Sequence, residues 1–313
     1  MVRVVKGLLA VPFSAAFLDV SSDFPLIAHH IGWWDLSLAQ QIKRTTVTAE
    51  LRRLCRRAVD DPTVLLDPAV LKRFGCTLVE VRPDGEFFPI EVEDEQRPDG
   101  RMEVVPMYSP ERSMYFTALD VLAAAVLSRR VPEIARATRY EPIGRQQIRR
   151  YLPVLPGLVL DSDVDPVLAL VEFRRRAKDE GDLVLAALLR VLVNSLVFGN
   201  LCRFDEFRHK VDGRWVLDER PGPWLCLPIA SCVAAGSRLL LAVLDRMVRD
   251  LGGVIAYRDT DSAVIPASPE GGTLVLLDGS SMNELTHAQI DEVVGRFDGL
   301  SPAPWWPVWK VIR

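Results

Sequence analysis

The stretch that decides the fold is Tyr257-Arg258-Asp259-Thr260-Asp261-Ser262, which lies between the apolar runs Val254-Ile255-Ala256 and Ala263-Val264-Ile265. Apolar flanks around a short acidic centre predict a β-hairpin whose turn carries two carboxylates, at positions i and i+2. In an extended strand Asp259 and Asp261 would share one face, so their negative charges would repel unless a cation compensates them. Mg²⁺ or Mn²⁺ with hard oxygen ligands is the usual compensation. The alternative is an Asx-type turn with a solvated pair of carboxylates.

A second acidic position, Asp19, follows the apolar run Ala15-Ala16-Phe17-Leu18. Ser21-Ser22, with Pro25 close by, marks a turn into a short helix. Asp19 is therefore predicted to end a buried strand, and the backbone N–H groups beyond it would open onto a helix start that suits phosphate oxygens. The alternative is that Asp19 only caps this helix.

A third feature is an apolar helix predicted from about residue 182 to residue 200, on which Arg190 is the only charged side chain after the first residue. A lone cation on such a helix must meet an anion or reach a cleft. Arg190, Asn194 and Phe198 are spaced by four residues and share one face. A cation, an amide and a ring on one stripe suit a nucleotide. The alternative is an arginine that extends to solvent beside a core asparagine.

Taken in their order along the chain, these three segments resemble motifs A, B and C of the family B DNA polymerases. Motif A of that family, Asp-x-x-Ser-x-Tyr-Pro, is matched at Asp19, Ser22, Phe24 and Pro25. Motif B, Lys-x-x-x-Asn-Ser followed by Tyr-Gly, is matched with substitutions at Arg190, Asn194, Ser195 and Phe198-Gly199. Motif C, Tyr-x-Asp-Thr-Asp-Ser, is matched in full at residues 257–262. Residues 229–253 also resemble the palm helix that family members place before motif C.

The resemblance implies an α+β fold: a polymerase palm with an antiparallel β-sheet packed on helices, plus a helical hairpin that forms the fingers. It implies a DNA-directed DNA polymerase that transfers nucleotides from a dNTP to a primer 3′-hydroxyl with two Mg²⁺ or Mn²⁺ ions. The expected organisation is palm with motif A in residues 1–44, an insertion or connector in 45–165, fingers with motif B in 166–205, and palm with motif C and a tail in 206–313.

The resemblance also assigns roles to individual residues. Asp19 and Asp261 are the expected bridging metal ligands, with Asp259 a lesser one. The expected nucleotide-binding residues are Ser22, Phe24, Arg190, Asn194 and Phe198. The residues expected near the primer and DNA are Tyr257, Arg258 and Thr260.

The chain departs from the family in its length and in some motif positions. Only 18 residues precede Asp19 and about 50 follow motif C, so we expect neither a proofreading exonuclease nor a thumb. Asp23 replaces an apolar residue of motif A, and motif B has one extra residue before Phe198. Two alternatives follow: a split-polymerase subunit whose protein partner supplies the thumb or exonuclease, or a non-catalytic remnant that acts as a binding module. A two-metal phosphodiesterase is a more distant alternative.

Composition sets further limits on function. The net charge of −4 argues against a stand-alone duplex binder, because affinity for DNA comes mostly from phosphate neutralisation. Basic residues do cluster at Arg174-Arg175-Arg176 and Lys178, near the expected fingers tip, where they form either a solvated face or a DNA contact. The five cysteines include no CxxC pair, so neither zinc nor a disulfide framework is expected. Without a signal peptide or an uninterrupted apolar span, we expect a cytoplasmic protein with no membrane contact, whose partners are a DNA primer–template and dNTPs.

Local patterns give predictions for the remaining segments. Helices are predicted at 48–59 and 113–128, and a strand pair at 76–81 and 86–92 that is joined through Pro83-Asp84-Gly85. The chemistry of the segment 131–144 does not follow from its sequence. Trp305, Trp306 and Trp309, which lie beside prolines, predict an apolar surface that a partner or a missing thumb would cover.

Overall fold

The computed structural model of the chain describes residues 14–19, 23–37, 39–94, 97–109, 111–145, 164–223, 225–259, 262–276 and 279–312. Three of the expected site residues, Ser22, Thr260 and Asp261, lie outside these ranges.

Helices and strands alternate irregularly along the chain, as in an α+β protein. The helices are α1 (Asp23–Ile31), α2 (Trp33–Ser37), α3 (Thr48–Asp60), α4 (Pro68–Phe74), α5 (Ala118–Ser128), α6 (Pro166–Asp179), α7 (Leu183–Val197), α8 (Leu227–Asp250) and α9 (His287–Gly295). The strands are β1 (Ala15–Asp19), β2 (Gln41–Thr46), β3 (Thr77–Arg82), β4 (Asp84–Asp94), β5 (Arg97–Tyr108), β6 (Met114–Thr117), β7 (Glu133–Ile143), β8 (Phe204–Val211), β9 (Arg214–Pro221), β10 (Tyr257–Arg258), β11 (Ser262–Ser268), β12 (Gly272–Val275), β13 (Ser281–Thr286) and β14 (Lys310–Ile312).

The first sheet joins the two ends of the described chain in the order β12-β13-β11-β1-β14, with β10 also paired to β11. The strand β1 is antiparallel to both β11 and β14. Its alternate residues Ala16 and Leu18 are fully buried, so this face of the strand belongs to the core. The expectation of an antiparallel sheet is confirmed for most pairs, but β11 and β13 are parallel.

The helix predicted before the acidic hairpin is confirmed as α8, which is buried along most of its length. It packs against α5 and α1. Gly236 lets α1 approach closely, because a Cβ at this position would lie 2.3 Å from Cγ2 of Ile27. Ile27 is itself fully buried. The small residue therefore sets the distance between α8 and α1, the helix that follows Asp19.

The segment between α2 and α6 forms a second sheet in the order β2-β7-β3-β6. The helix predicted at 48–59 is confirmed as α3. The segment 131–144 contains β7, a central strand that pairs with both β2 and β3. The helix α5 packs between α3 and α8, and every residue from Ala118 to Val126 is buried.

The predicted pairing of residues 76–81 with 86–92 is wrong. The strand β3 pairs with β6 and β7, whereas β4 pairs with β5. Only Pro83 separates β3 from β4, and an antiparallel hairpin needs a connection of at least two residues. Gly85, with φ at +93°, lies where the β4–β5 register shifts between Asp84 and Glu86, so this glycine forms a bulge rather than a turn.

The helix predicted at 113–128 begins five residues later than expected. Residues Met114–Thr117 form β6 instead, since Tyr, Phe and Thr favour extended structure in a sheet. The Thr117 side chain accepts a hydrogen bond from the Asp120 N–H at 3.1 Å and so caps α5.

The expected helical hairpin around motif B is confirmed as α6 and α7, which pack on each other. Asp165 begins α6 by accepting hydrogen bonds from the N–H groups of Val167 and Leu168. Gly181 lies in the short connection between the two helices. Its φ of +81° is in the left-handed region, which favours glycine.

Two helical segments, Leu183–Leu201 and Leu227–Asp250, are long and apolar enough to cross a membrane by length and composition alone. The second is 72% buried inside the protein over its most apolar window, as expected of a core helix, and the first is 22% buried. This composition is weak evidence for a membrane span.

The expectation that the tail tryptophans form an uncovered surface is wrong. Trp306 and Trp309 are each only 4% exposed. The ring of Trp309 packs edge-on against the fully buried Phe297, with 5.7 Å between the ring centroids. The tail reaches the core because β14 pairs with β1, a long-range contact that the local sequence does not reveal.

His30 ties α1 to the segment before this tail. The ring is buried and its Nε2 lies 2.6 Å from the Leu300 carbonyl oxygen, to which the neutral ring donates. Burial, aided by the charge of His29, lowers the pKa of His30 below its ordinary value of 6.5, although the bond to Leu300 and the charge of Asp165 act in the opposite direction.

We expect Gly236→Ala to destabilise the protein by about 1–3 kcal/mol, the usual cost of overpacking a core. The new methyl group would overlap Ile27. Urea unfolding followed by circular dichroism measures the change. Gly295→Ala in α9 is the matched control, because its nearest non-local atom would lie 4.0 Å away, and it should leave stability unchanged or slightly higher. Equal stability of the two variants would contradict the close approach.

We expect stability to fall as the pH drops from about 7.5 to 5.5. A histidine whose folded-state pKa lies below 6.5 binds its proton more readily when unfolded, so its contribution is complete above 6.5 and is lost below it. Urea midpoints across this range should show a weaker pH dependence for His30→Gln than for the wild type. The control His209→Gln, in the exposed β8–β9 hairpin, should keep the wild-type slope.

Candidate active site

The acidic hairpin predicted from the sequence is present in the fold. β10 and β11 pair with Tyr257 opposite Val264 and Arg258 opposite Ala263. The Asp259 N–H donates to the Ser262 carbonyl oxygen at 2.9 Å and closes the turn. The Tyr257 hydroxyl lies 3.4 Å from Oδ2 of Asp259. The hairpin therefore holds the Asp259 carboxylate at the exposed end of the first sheet.

Strand pairing brings Asp19 to the same end of this sheet. Asp19 is the last residue of β1, opposite Ser262 of β11 on one side and opposite Lys310 of β14 on the other. Directly opposed residues of antiparallel strands have Cβ atoms about 4.5–5.5 Å apart and share a face. The carboxylate of Asp19 thus lies next to the acidic hairpin and next to a lysine.

Asp19 lines a cavity of about 160 Å³ whose walls are mostly basic and aromatic. The basic side chains come from the C-terminal half of α6 and from β14: Arg174, Arg175, Lys178 and Lys310. The aromatic wall is the tail pair Trp305 and Trp306.

The tail tryptophans contact α6 directly. The guanidinium of Arg175 lies 5.2 Å from the ring centroid of Trp305, a cation–π contact, while its Nη1 pairs with Asp179 at 2.7 Å. Trp305 in turn stacks on Trp306 at 6.0 Å between centroids. This contact fixes the C-terminal tail against the helix that carries the basic residues.

The cations around this cavity repel one another. Partial burial lowers the pKa of Lys178, and the charges of Arg174, Lys310 and Arg190 lower it further. The pKa of Arg174 is also lowered, first by burial and then by Arg190. Such a cluster favours binding of a polyanion, because phosphate oxygens would relieve the repulsion and supply hydrogen-bond acceptors.

The structure places Arg190 at the edge of this cluster rather than within the core. Its side chain is exposed on α7, as in the alternative of an arginine that reaches solvent. Its charge nevertheless acts on both Arg174 and Lys178 of the neighbouring helix. Arg190 is therefore available to an anion that enters from solvent.

Two aromatic residues, one in the first turn of α1 and one directly after α7, meet in the fold. The ring of Phe24, in the first turn of α1, lies 4.9 Å from the ring of Phe198 between centroids, with the planes tilted by 35°. Asn194, half-buried on α7, lies one turn before Phe198, and its carbonyl accepts the Phe198 N–H. The structure thus joins the first turn of α1 to the end of α7.

The donor set for a metal ion is only partly described. No group of three or more His, Cys, Asp or Glu side chains that could hold a metal occurs among the described residues. Asp19 and Asp259 provide two carboxylates at the same end of the sheet, and Asp261 lies outside the described ranges. Carboxylate oxygens are the donors that Mg²⁺ and Mn²⁺ prefer, so the residues present fit such an ion in kind.

Sequence reasoning assigned no site role to three of the basic residues. Arg174 and Lys178 were visible only as a basic cluster near a helix end, and their common orientation toward Asp19 follows from the packing of α6. Lys310 carries no local signal, since only the register of β14 brings it beside Asp19.

No protein-family model matches this chain, and neither a characterised protein nor a solved structure is significantly similar to it. The resemblance to family B polymerases accordingly rests on the quoted residues alone.

We expect Lys178→Met to weaken the binding of inorganic pyrophosphate about five- to tenfold, the effect of losing roughly 1 kcal/mol of charge attraction near the surface. Isothermal titration calorimetry at low salt measures the affinity. Stability at neutral pH should not fall, because the lowered pKa shows that the fold disfavours the charged form of Lys178.

Lys72→Met is the matched control, since Lys72 is exposed on α4 and lines no part of this cavity. It should bind pyrophosphate like the wild type. Equal losses in the two variants would indicate general attraction by surface charge and contradict a defined anion site.

Proposed function

We propose that this chain is the catalytic core of a family B–type DNA polymerase, which transfers a nucleotide from a dNTP to the 3′-hydroxyl of a DNA primer. One observation carries the proposal. The pairing of β1 with β11 and β14 places Asp19 beside the acidic hairpin and beside the cation cluster. Carboxylates that could hold metal ions therefore lie next to cations that could bind a triphosphate, which is the arrangement that nucleotidyl transfer requires.

The cation cluster supports triphosphate binding. Phosphoryl transfer needs positioning and charge neutralisation more than covalent help from the protein. Arg174 and Arg190 can bind phosphate oxygens bidentately, and Lys178 and Lys310 can act as point charges. The small cavity beside Asp19 is open to an anionic group rather than to a whole nucleotide, so the base and sugar would extend toward Phe24 and Phe198.

The carboxylates support metal binding. In the proposed site Asp19, Asp259 and Asp261 hold two Mg²⁺ or Mn²⁺ ions. When bound, such ions supply charge neutralisation at the attacking and leaving oxygens. The protein contributes the rigid placement of Asp19 at a strand end and of Asp259 in the hairpin turn.

The aromatic pair supports nucleotide selection. Phe24 would pack under the deoxyribose and disfavour a 2′-hydroxyl, and Phe198 with Asn194 would contact the new base pair. Its packing on Phe198 restrains Phe24. The remaining expected roles stay predictions: nucleotide contact by Ser22, and contact with the primer or DNA by Tyr257, Arg258 and Thr260.

Primer extension on a short DNA primer–template with Mg²⁺ at low salt tests the proposal. We expect Asp19→Asn to reduce incorporation at least about 10²–10³-fold, the scale of losing one group that stabilises transition-state charge. The control Asp60→Asn, at the exposed end of α3, should keep wild-type activity.

Equal incorporation by Asp19→Asn and the wild type would refute the site. If the folded wild-type chain by itself incorporated no nucleotide, the proposal that this chain is an active polymerase without a partner would be refuted. Incorporation that added cell extract restores with the wild type but not with Asp19→Asn would then support the split-polymerase alternative, and no such difference would support the non-catalytic one.

A further inference from the structure

The strands β8 and β9, which lie between α7 and α8 in the chain, form a sheet of their own. Neither strand pairs with a third strand among the residues that the structure describes. Every residue of β9 except Val216 is exposed. A largely exposed hairpin of two strands is only marginally stable in water, and further strands would stabilise it.

The turn of this hairpin shows which backbone groups of β9 face outward. Residues 212–213 form a two-residue loop in which both φ angles are positive, 49° and 79°, as in a type I′ turn. The flanking residues Val211 and Arg214 lie opposite each other and form a hydrogen-bonded pair in such a hairpin. Bonded and non-bonded pairs then alternate along the strands, so the N–H and C=O groups of Trp215 and Leu217 point away from β8.

The two outer edges of the hairpin differ in their side chains. At the positions whose backbone groups face outward, β9 has Trp215 and Leu217, which are 68% and 54% exposed. The corresponding positions of β8 carry the charged residues Glu206, Arg208 and Lys210. Charged side chains on an edge strand oppose pairing with another chain, whereas exposed apolar ones favour it. The edge of β9 is therefore the one that is open to a further strand.

The sequence of β9 is complementary to itself when two copies run antiparallel about Val216. Trp215 then lies opposite Leu217 of the second copy, and Arg214 lies opposite Asp218 of the second copy. The Trp215 and Leu217 positions are those with outward backbone groups, so they would exchange hydrogen bonds across the interface. A twofold axis through Val216 makes each of these contacts twice.

Charge disfavours the neighbouring registers. Only registers that differ by two residues keep outward-facing backbone groups opposite one another. The register shifted toward the end of β9 puts Arg214 opposite Arg220 of the second copy. The register shifted toward the turn puts Asp212 opposite Asp218 of the second copy. Like charges directly opposite each other destabilise a strand pair, so the register about Val216 is the favoured one.

We propose that two copies of this chain associate through the edges of their β9 strands, so that the two hairpins form one four-stranded sheet. The pairing covers Trp215 and Leu217 and gives Arg214 an anionic partner. The Trp215 ring is already restrained on its own hairpin by Lys210, whose Nζ lies 5.1 Å from the ring centroid, so ordering this ring on association costs little. No residue of the candidate active site takes part, and the dimer does not depend on the proposed function.

Sedimentation velocity over a range of protein concentrations tests the dimer. We expect the wild type to dimerise reversibly. Arg214→Asp and Asp218→Arg should each raise the dissociation constant about tenfold, because each change places like charges opposite each other twice. The double variant Arg214→Asp/Asp218→Arg restores opposite charges and should return the constant to within about threefold of the wild-type value. Circular dichroism checks that each variant is folded.

Glu206→Arg is the matched control, since Glu206 is exposed on the other strand of the hairpin. It should dimerise like the wild type. A dimer that this change weakens and Arg214→Asp does not would place the interface on β8 and overturn the proposal. A double variant that stays as weak as the single variants would do the same for the register about Val216.

Hydrogen exchange gives a second readout that does not depend on charge. The N–H groups of Trp215 and Leu217 should exchange more slowly as the protein concentration rises, because dimerisation hydrogen-bonds them. Exchange at these positions that is independent of concentration would exclude the edge of β9, even if the chain dimerised elsewhere. A wild type that stays monomeric up to about 1 mM would overturn the proposal outright.

Discussion

The rest of this structure depends on the antiparallel pairing of β1 with β11, which places Asp19 opposite Ser262. The two strands come from opposite ends of the chain, and each buries one or both of its faces, so their register is strongly specified. A shift of one residue would turn Leu18 out of the core and Asp19 into it. The burial of β1 therefore holds one carboxylate beside the hairpin that carries another.

The same strand pairing explains why basic side chains lie next to the Asp19 carboxylate. The strand β1 has β14 on its other side, so Lys310 lies opposite Asp19. The helix α6 carries Arg174 and Lys178 to the same cavity, and Arg175 contacts Trp305 of the tail. Partial burial, and after it repulsion among these cations, lowers the pKa of Lys178, and bound phosphate would offset the repulsion. An anion-binding surface next to carboxylates is an arrangement suited to phosphoryl transfer.

Local patterns predicted those elements whose signals lie within a few residues. The helices α3, α7 and α8 and the acidic hairpin all follow from periodicity and from apolar flanks. The predicted pairing of residues 76–81 with residues 86–92 was wrong, because a period of two shows that a strand exists without showing its partner. The predicted start of α5 was wrong because Thr117 both ends the strand β6 and caps the helix.

The sequence by itself determined the motif residues Asp19, Asp259 and Phe198 and the elements that carry them, because a strand end, a turn and a helix face are local properties. Only the tertiary structure decided that Lys310 lies opposite Asp19 and that Arg174 and Lys178 line one cavity. The burial of Trp306 and Trp309 likewise depends on tertiary contacts. It also left the Ser237 hydroxyl without a hydrogen-bond partner among the residues that the structure describes. These features arise from contacts between distant segments, whose formation depends on the packing of the whole core and leaves no periodic signal in the chain.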